Sequence, residues 1–587
     1  MLPNDPLKRV LYVDLSSKRF WVKERPELFA ENIGGTGVAS KLLEEECPPD
    51  IDPTDAHNPI ILAVGPANGL FPIASKTVAM FLSPHNKFLG ESHAGGRSAL
   101  ALRLAGYGAV VIRGKSQSPV YLVIDPQGAK FRDARGLWGL TVSETGRFLR
   151  EREGGSGLRS ILRIGPAGEN GCTFACVVTE TYRHFGRLGL GALFGYKKLK
   201  AVLITGKRAL PVADRKLFRE TYDELLKRLK NTPSLRKYHD IGTAVNVLPL
   251  NKLGALPTRN LQQARFEGAE KISGEYFAER LLGRRLACAH CPMACIHLAA
   301  LRTPYEDEPY FYKTTFISYD YEPIYANGSM LGIDSAEGIL KILDLIDNLG
   351  LDAMSTGVVL AWATEAFERG LVTTEDTLGL KPRFGDVETY LKMLPLIAQQ
   401  RNDFYAALAK GVAFASARYG GEDFALAFGG NEMPGYHTGY GAHLTFLTGA
   451  RHSHLDSAGY SYDQKLKPEE ISPTLLAQKL YAEEIYRQIL SSAVCCFFAR
   501  SVYNYETLAK VFKICGFDYD EKDLPLVGEK ILKRKYFFKK RRGFALTQLK
   551  IPRRILETLS PQGKLKEEFL REALLSYQKL LEGGGEG

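Results

Sequence analysis

Short runs of β-branched and other apolar residues punctuate the first ~210 positions. "VLYVDL" (10–15), "AVVIRG" (109–114), "VYLVID" (120–125) and "AVLITG" (201–206) are each bounded by charged or turn residues. Such runs are too short for helices and read as strands. "EREGGSGL" (151–158) reads as a flexible surface connection within this region. From about 211 the period changes. "RKLFRETYDELLKRLK" (215–230) and "SAEGILKILDLIDNLG" (335–350) repeat apolar residues at helical spacing. For the second helix, Asp334 is the expected N-cap, Glu337 falls at the third helical position, and Gly350 is the stop. Helical patterns continue to the tail "EGGGEG" (582–587), which reads as disordered. No internal repeat is visible. The expected fold is α+β: a β-rich N-terminal domain (1–210) followed by two mainly helical domains (211–417 and 418–587).

A chain of 587 residues exceeds what one core serves. Composition is that of a soluble globular protein, with 45% hydrophobic and 24% charged residues. No apolar run reaches the ~18 residues of a membrane helix, and "MLPNDPLKRV" has no signal-peptide core. A cytoplasmic protein with no membrane partner is expected. The net charge of +11 favours acidic partners. The densest basic stretch, "KILKRKYFFKKRRGF" (530–544), reads as a helix with a solvated basic face or as a dock for an acidic electron carrier. No nucleic-acid-binding motif accompanies it.

Three of the nine cysteines, Cys288, Cys291 and Cys295 in "CAHCPMACIH", form C-x2-C-x3-C. Thiolates bind soft metals and iron–sulfur clusters. Such a run can wrap three corners of a [4Fe–4S] cube, with a distant cysteine as the fourth. Radical-SAM enzymes use the reverse order, and the second C-x2-C pair that structural zinc prefers is missing. Spacing alone ranks an iron–sulfur cluster first and leaves zinc, or no metal, open. Cys495 and Cys496 are the only adjacent cysteines, while Cys47, Cys172, Cys176 and Cys515 read as buried apolar residues.

Beside that cysteine run stands "DNLGLD" (347–352), and further on "SSAVCCFF" (491–498). Three glycine-rich segments precede them: "IGGTGVASKLL" (33–43), "HAGGRSALALRLAGYGAVVIRGK" (93–115) and "RHFGRLGLGALFGYKKLKAV" (183–202). Glycines let a backbone approach a phosphate closely, and Arg97, Arg187 and Lys197 would add charge. Taken together, over nearly its whole length, the chain resembles the tungsten-containing aldehyde ferredoxin oxidoreductases.

The resemblance implies tungsten (or molybdenum) between two molybdopterin-type pterins, with magnesium bridging the pterin phosphates and no protein ligand to the tungsten. It also implies a [4Fe–4S] cluster on Cys288, Cys291, Cys295 and Cys496, with Cys495 as the alternative fourth ligand. Cofactor contacts are implied for Lys76, for His93, Ala94, Gly95, Gly96 and Arg97, and for Arg183, His184, Gly186, Arg187, Gly189 and Gly191. Further contacts are implied for Asp347, Gly350, Leu351, Asp352, Ser491 and Cys495. Read without the family, Asp347 and Asp352 are a helix end and an N-cap.

In the family a glutamate and a histidine act near the metal. They align with Glu322 in "YDYEPIYANGSMLGID" and His454 in "TGARHSHLDSAGYSYD", with His452 as a substitute for the latter. Residues alone would make Glu322 a surface charge and His454 structural. Ser491 replaces the family's aspartate, Lys76 a common arginine and His93 a common asparagine. The E-x-x-H subunit-bridging site is not evident near Lys341, so a homodimer is left open. The implied reaction takes a small aldehyde and water to a carboxylic acid, with electrons leaving for ferredoxin or an iron–sulfur partner subunit. Alternatives are a reductive family member of the aromatic acyl-CoA reductase type and a non-catalytic iron–sulfur subunit.

Overall fold

The computed structural model describes residues 2, 4–154, 157–180, 182–465 and 470–583. The centre of "EREGGSGL" (155–156) and the end of the tail (584–587) lie outside the described residues.

All four apolar runs are strands. β1 (Arg9–Asp14), β2 (Arg19–Glu24), β3 (Ile60–Ala63), β4 (Thr77–Leu82), β5 (Leu89–Ala94) and β6 (Ala109–Arg113) form a sheet in the order β2-β1-β6-β3-β4-β5. A second sheet contains β7 (Val120–Asp125), β8 (Gly128–Asp133), β9 (Leu158–Arg163), β10 (Val177–Thr179), β11 (Arg183–Phe185) and β12 (Leu199–Gly206). Its order, β11-β10-β9-β12-β7-β8, is the first order with six added to each number, taken from the opposite edge. In each sheet the first and sixth strands run parallel and the other pairs antiparallel. The β-rich half is therefore a structural tandem, although the sequence shows no repeat. A buried strand asks only for apolar residues of about the right size, so two copies of one topology need share no residues.

The tandem matters for position. The fifth strand is the edge of each sheet and runs into a glycine turn and a short helix. β5 leads to Gly95 and Gly96 and the Ser98–Ala105 helix; β11 leads to Gly186 and Gly189 and the Leu190–Tyr196 helix. β5 and β11 pack against each other, so the two equivalent turns lie together.

Helices dominate from Arg215 on. A small antiparallel sheet of β13 (Leu282–Leu286), β14 (Ile296–Pro304) and β15 (Tyr312–Tyr319) interrupts them, an element the helical reading did not contain. The cysteine run fills the connection between β13 and β14, and β15 delivers the chain to Tyr321 and Glu322. The Ala336–Leu349 helix is capped by Ser335, whose Oγ accepts from Gly338 N at 3.0 Å. Asp334, the expected cap, instead pairs with Lys271 at 2.6 Å. Gly350 ends the helix in the left-handed conformation, as expected.

Two further readings change. A β-carbon at Gly35 would sit 2.1 Å from the Ser491 carbonyl oxygen, and one at Gly34 3.0 Å from that of Ser492. "IGGTG" thus serves close packing against the end of the Pro473–Ser492 helix. The basic stretch lies mostly on the Asp523–Lys540 helix, but its face is not simply solvated. Lys535 is buried, with Nζ 2.6 Å from both Glu91 Oε2 and Gln488 Oε1. Lys539 is buried against the Phe544 ring, with Nζ 2.8 Å from His452 Nε2. Lys530, Lys540 and Arg541 remain exposed. Among the described residues no helix is long and apolar enough to cross a membrane.

Candidate functional site

A cavity of about 360 Å³ opens between the paired edge strands and the helical half. Lys76, His93, Gly95, Arg183, Gly186 and Arg187 face it from the β-rich side. Glu322, His454, Tyr436, Tyr460, Tyr238 and Phe498 face it from the helical side, and Cys295, Cys495 and Cys496 also line it. A wider hollow of about 790 Å³ near Leu253 and Ser560 is lined by none of these residues.

The β-rich wall is built from cations and glycines. Arg187 donates from Nε to Asp352 Oδ2 (3.2 Å) and from Nη2 to the Glu432 carbonyl (2.8 Å), while its buried Nη1 has no partner. Glu432 is held in turn by His85 (2.9 Å) and Ser355 (2.7 Å), which keep its carboxylate down to about 2 despite burial. Arg183 pairs with Asp320 at 3.4 Å; that charge and the nearby Cys288, Cys295 and Cys496 hold its guanidinium protonated although burial opposes this. A methyl at Gly95 would lie 2.7 Å from Cys288 Sγ, whereas one at Gly186 would meet only His184 Cβ at 4.0 Å. Gly186 therefore leaves open space on the cavity.

Behind this wall stands a network that sequence reasoning missed. Glu91 accepts from His93 Nε2 (2.7 Å), Thr36 (2.7 Å) and Lys535 (2.6 Å). Lys535 and His93 keep it ionised against the effect of burial, and burial lowers His93 to about 4. Glu91 and His93 are two apart on a strand and so share a face, a period-two signal that was available. Nothing local points to Lys535, 444 positions away.

Other expected contacts lie beside the cavity rather than on it. Ala94 ends β5 and is buried. The Gly96 carbonyl accepts from Ala289 N at 2.9 Å, tying the first glycine turn to the cysteine loop. Arg97 is exposed on a separate hollow with Glu180. Gly189 and Gly191 pack on the carbonyls of Thr173 and Cys176. Lys197 points elsewhere: its Nζ donates to the carbonyls of Ala56 (2.8 Å) and Gly114 (2.9 Å), and burial lowers it to about 7. Asp347 accepts from His184 at 2.9 Å. Asp352 caps the Ala353–Glu368 helix and also receives Ser355 and Arg187. Gly350 and Leu351 accept from the Cys176 N and Sγ respectively. Ser491 is buried against Gly35.

The cysteine loop is held in uncommon backbone. His290 and Ala294, just before Cys291 and Cys295, have φ of 57° and 47°, and Val494 before Cys495 has 57°. Left-handed non-glycine residues persist where their surroundings over-determine them. Ile73 joins the two cysteine segments: its N donates to the His290 carbonyl (2.9 Å) and its O accepts from Cys496 N (3.2 Å). Cys496 is close enough to influence Cys291 and Cys295, and burial together with neighbouring sulfurs pushes Cys291 up to about 12. Cys495 is 2% exposed, and burial, with Cys496 and Cys515 adding to it, pushes its thiol up. The other four cysteines are buried, as expected. Among the described residues no three His, Cys, Asp or Glu side chains form a single-ion site.

On the helical wall, two residues 132 positions apart meet. His454 Nε2 lies 3.4 Å from Glu322 Oε1. Glu322 is not a surface charge: Oε2 accepts from Gly435 N (3.1 Å), and Oε1 is buried without a hydrogen bond. Burial raises Glu322 to about 7. Burial, with Arg187 and Arg451 nearby, holds His454 well below the usual imidazole range, so the ring is neutral at neutral pH. Its Nδ1 is also buried and unpartnered. His452 is no substitute: its ring nitrogens face Phe446 O (2.9 Å) and Lys539.

Buried acid and base groups, a cationic glycine wall and three cysteines line one cavity, an arrangement suited to redox chemistry. Comparison with known proteins agrees. The model for the aldehyde ferredoxin oxidoreductase N-terminal domain matches residues 10–206, and that for domains 2 and 3 matches 220–582. The chain belongs to the aldehyde ferredoxin oxidoreductase family. It is 33% identical, over 97% of its length and 95% of the relative's, to the tungsten-containing aldehyde ferredoxin oxidoreductase of Thermococcus kodakarensis. It is 29% identical, over 84% of this chain and 79% of that one, to the WOR-like subunit of an aliphatic sulfonate oxidoreductase from Pyrococcus furiosus. The fold is shared with the solved active site complex of benzoyl coenzyme A reductase bound to 1,5-dienoyl-CoA: TM-score 0.80, 22% identity, 98% of this chain and 94% of that one.

Proposed function

We propose that this chain is a cytoplasmic tungsten (or molybdenum) bis-pterin oxidoreductase that converts an aldehyde and water to a carboxylic acid, two protons and two electrons. The observation that carries the reading is the meeting of Glu322 and His454 in the cavity shared by the cationic glycine wall and the cysteine loop. The residues fit the implied groups. Two topologically equivalent glycine turns suit two like phosphate-bearing pterins, and the orphaned Arg187 Nη1 and the Gly186 opening suit an anion. Lys76, Arg183, His184 and Arg187 would hold the pterins, with Asp347 and Asp352 accepting from one of them. The carbonyl region of His93 would lie near the bridging magnesium. Cys288, Cys291, Cys295 and Cys496 would hold a [4Fe–4S] cluster, whose positive charge compensates thiols that burial otherwise keeps protonated.

When bound, the metal supplies a two-electron acceptor and the cluster a one-electron outlet. The protein's own part is proton handling. Glu322, poised near neutrality, takes the proton from water as its oxygen bonds to the carbonyl carbon. Neutral His454 donates an N–H to the carbonyl oxygen, where negative charge develops. Gly435 N keeps the carboxylate aimed. Two equivalents of ferredoxin, or a partner iron–sulfur subunit, take the electrons one at a time. The deciding experiment is elemental and pterin analysis of anaerobically purified protein, paired with turnover of a panel of aldehydes. About four iron atoms and one tungsten or molybdenum per chain with aldehyde oxidation support the reading; stoichiometric zinc without iron refutes it.

A further inference from the structure

We infer that the hollow beside Arg97 is a second anion site, built for a phosphate dianion, either free or carried on a small organic molecule. Gly95 of the first glycine turn lines the central cavity, whereas Arg97, two residues on, lines this hollow of about 510 Å³ instead. Four arginines face it, Arg97, Arg150, Arg159 and Arg163, against two carboxylates, Glu153 and Glu180. Local structure brings three of the four together. Side chains alternate along β9, so Arg159, Ile161 and Arg163 share one face. The Val142–Arg152 helix packs on β9 and carries Gly146 and Arg150, four apart, on one stripe. A β-carbon at Gly146 would lie 2.6 Å from Arg163 Nε and 2.8 Å from Nη2, so glycine there leaves room for the guanidinium.

Arg163 is the residue that calls for a ligand. It is 1% exposed, and its guanidinium donates to carbonyls alone: Val142 O from Nε (2.7 Å), and Ile161 O (3.1 Å) and Val178 O (3.5 Å) from Nη1. Nη2 is buried and has no partner. Glu180 and Asp347 attract this charge only from a distance, while Arg150 repels it; burial, with Arg150 adding to it, lowers Arg163 to about 10, which leaves it protonated at neutral pH. A buried charge without a close counter-charge is costly, and an anion in the hollow would offset that cost. The two carboxylates are engaged elsewhere. Glu153 accepts from the Tyr121 hydroxyl (2.6 Å) and lies 3.8 Å from Arg132. Glu180 accepts from Thr179 Oγ1 (2.5 Å) and from Ser160 Oγ. The surplus of positive charge suits a phosphate dianion, whose oxygens match arginine forks; a carboxylate ligand would meet only half of it. The volume is in the range of small-molecule sites, and Leu158 and Ile161 border it, so an organic portion has space and apolar surface to cover.

The test uses the full-length protein as purified and measures retention of radiolabelled inorganic phosphate, and separately of AMP, by equilibrium dialysis at low salt. Dependence on Arg163 and Arg150 assigns the binding to this hollow whatever fills the central cavity. Arg163→Met keeps the length and loses the charge, and should weaken phosphate binding by about tenfold or more. Arg150→Gln alters an exposed helix position and should weaken it by about threefold or more; it decides the matter if Arg163→Met fails to fold. Arg147→Gln, on the same helix but outside the hollow, should leave the affinity unchanged. AMP held about tenfold more tightly than phosphate, with the same arginine dependence, would make the ligand an organic phosphate. Equal or weaker binding of AMP would make it the free oxyanion. Retention of neither probe at about 10 mM would overturn the site, as would an affinity that Arg150→Gln and Arg163→Met leave unchanged. An equal loss in Arg147→Gln would also overturn it, because the binding would then be diffuse surface attraction.

Discussion

The two walls of the cavity are made in opposite ways. The β-rich wall comes from contiguous turns that one topology produces twice, and it acts largely through backbone and fixed charge. The helical wall is assembled from single side chains at 238, 322, 436, 454, 460 and 498. The first kind of wall tolerates changes of side chain and is broken by added bulk. The second is broken by losing one functional group, while its backbone survives.

The cysteine loop belongs with the first wall in being local, yet the proposed cluster would take one ligand from a remote segment, and this gives the largest expected effect. Cys496→Ser should lose most of the cluster iron and abolish reduction of a one-electron acceptor, because a thiolate corner has no substitute. Cys495→Ser should keep its iron, since that side chain is 2% exposed and Cys496 is the residue aligned with the family's fourth ligand. Iron content and cluster absorption of the two proteins check this. The opposite pattern would shift the ligand by one position.

Glu322→Gln tests the second wall. Turnover should fall by ~10²–10⁴ with metal, pterin and iron unchanged. Wild-type rate should rise with pH through about 7 as Glu322 ionises, and the variant should lack that inflection. Stability should move the other way. A carboxyl whose folded value is raised to about 7 favours the folded state at low pH, and that contribution is lost as pH rises through about 7. The variant, with no charge to bury, should therefore be the more stable protein above pH 7, by up to roughly 3 kcal/mol. Melting of matched holoproteins at pH 5.5 and 8 measures the difference; a variant destabilised at pH 8 would mean Glu322 is charged and paired when folded.

On the first wall, two glycines separate packing from space. Gly95→Ala puts a methyl 2.7 Å from Cys288 Sγ, so the loop must shift, at a cost of about 1–3 kcal/mol and some cluster iron. Gly186→Ala meets nothing closer than 4.0 Å and should leave the melting temperature of cofactor-free protein unchanged. Its methyl enters the cavity, so pterin content should fall instead. If both variants lose only stability, the second turn is structural.

Legibility in the sequence follows the same division. The strands of the β-rich half, the glycine turns, the cysteine run and the DNLGLD stop are visible because each is a local pattern with a local cause. Glu322 and His454 carry no such pattern; residue chemistry alone made them a surface charge and a structural ring, and only the family resemblance picked them out. Glu91, Lys535, Glu432 and Tyr436 escaped altogether, since what defines them is burial against partners from distant segments. The β13–β15 sheet was missed amid helical patterns. Lys197 was read as a phosphate cation because charge is visible in sequence, but its direction is not.

The smallest expected effect concerns how the first wall is held in place. The Ala336–Leu349 helix carries Asp347 to His184, so its register sets one edge of the cavity. Two adjacent residues compete as its cap. Ser335 has extended backbone (φ −105°, ψ 114°) and its hydroxyl accepts from Gly338 N, satisfying one of the first-turn donors left open at any helix start. Asp334 has its carboxylate 2.6 Å from Lys271 in a pair whose side chains are 52% and 67% exposed, where solvent and salt screen the attraction. Ser335→Ala should therefore lower stability by about 1 kcal/mol. Asp334→Ala should change it by less, and that change should vanish in high salt, as a screened surface pair requires. Denaturant midpoints of the two variants at low and high salt provide the check. A salt-independent loss in Asp334→Ala exceeding that in Ser335→Ala would return the cap to Asp334 and start the helix one residue earlier.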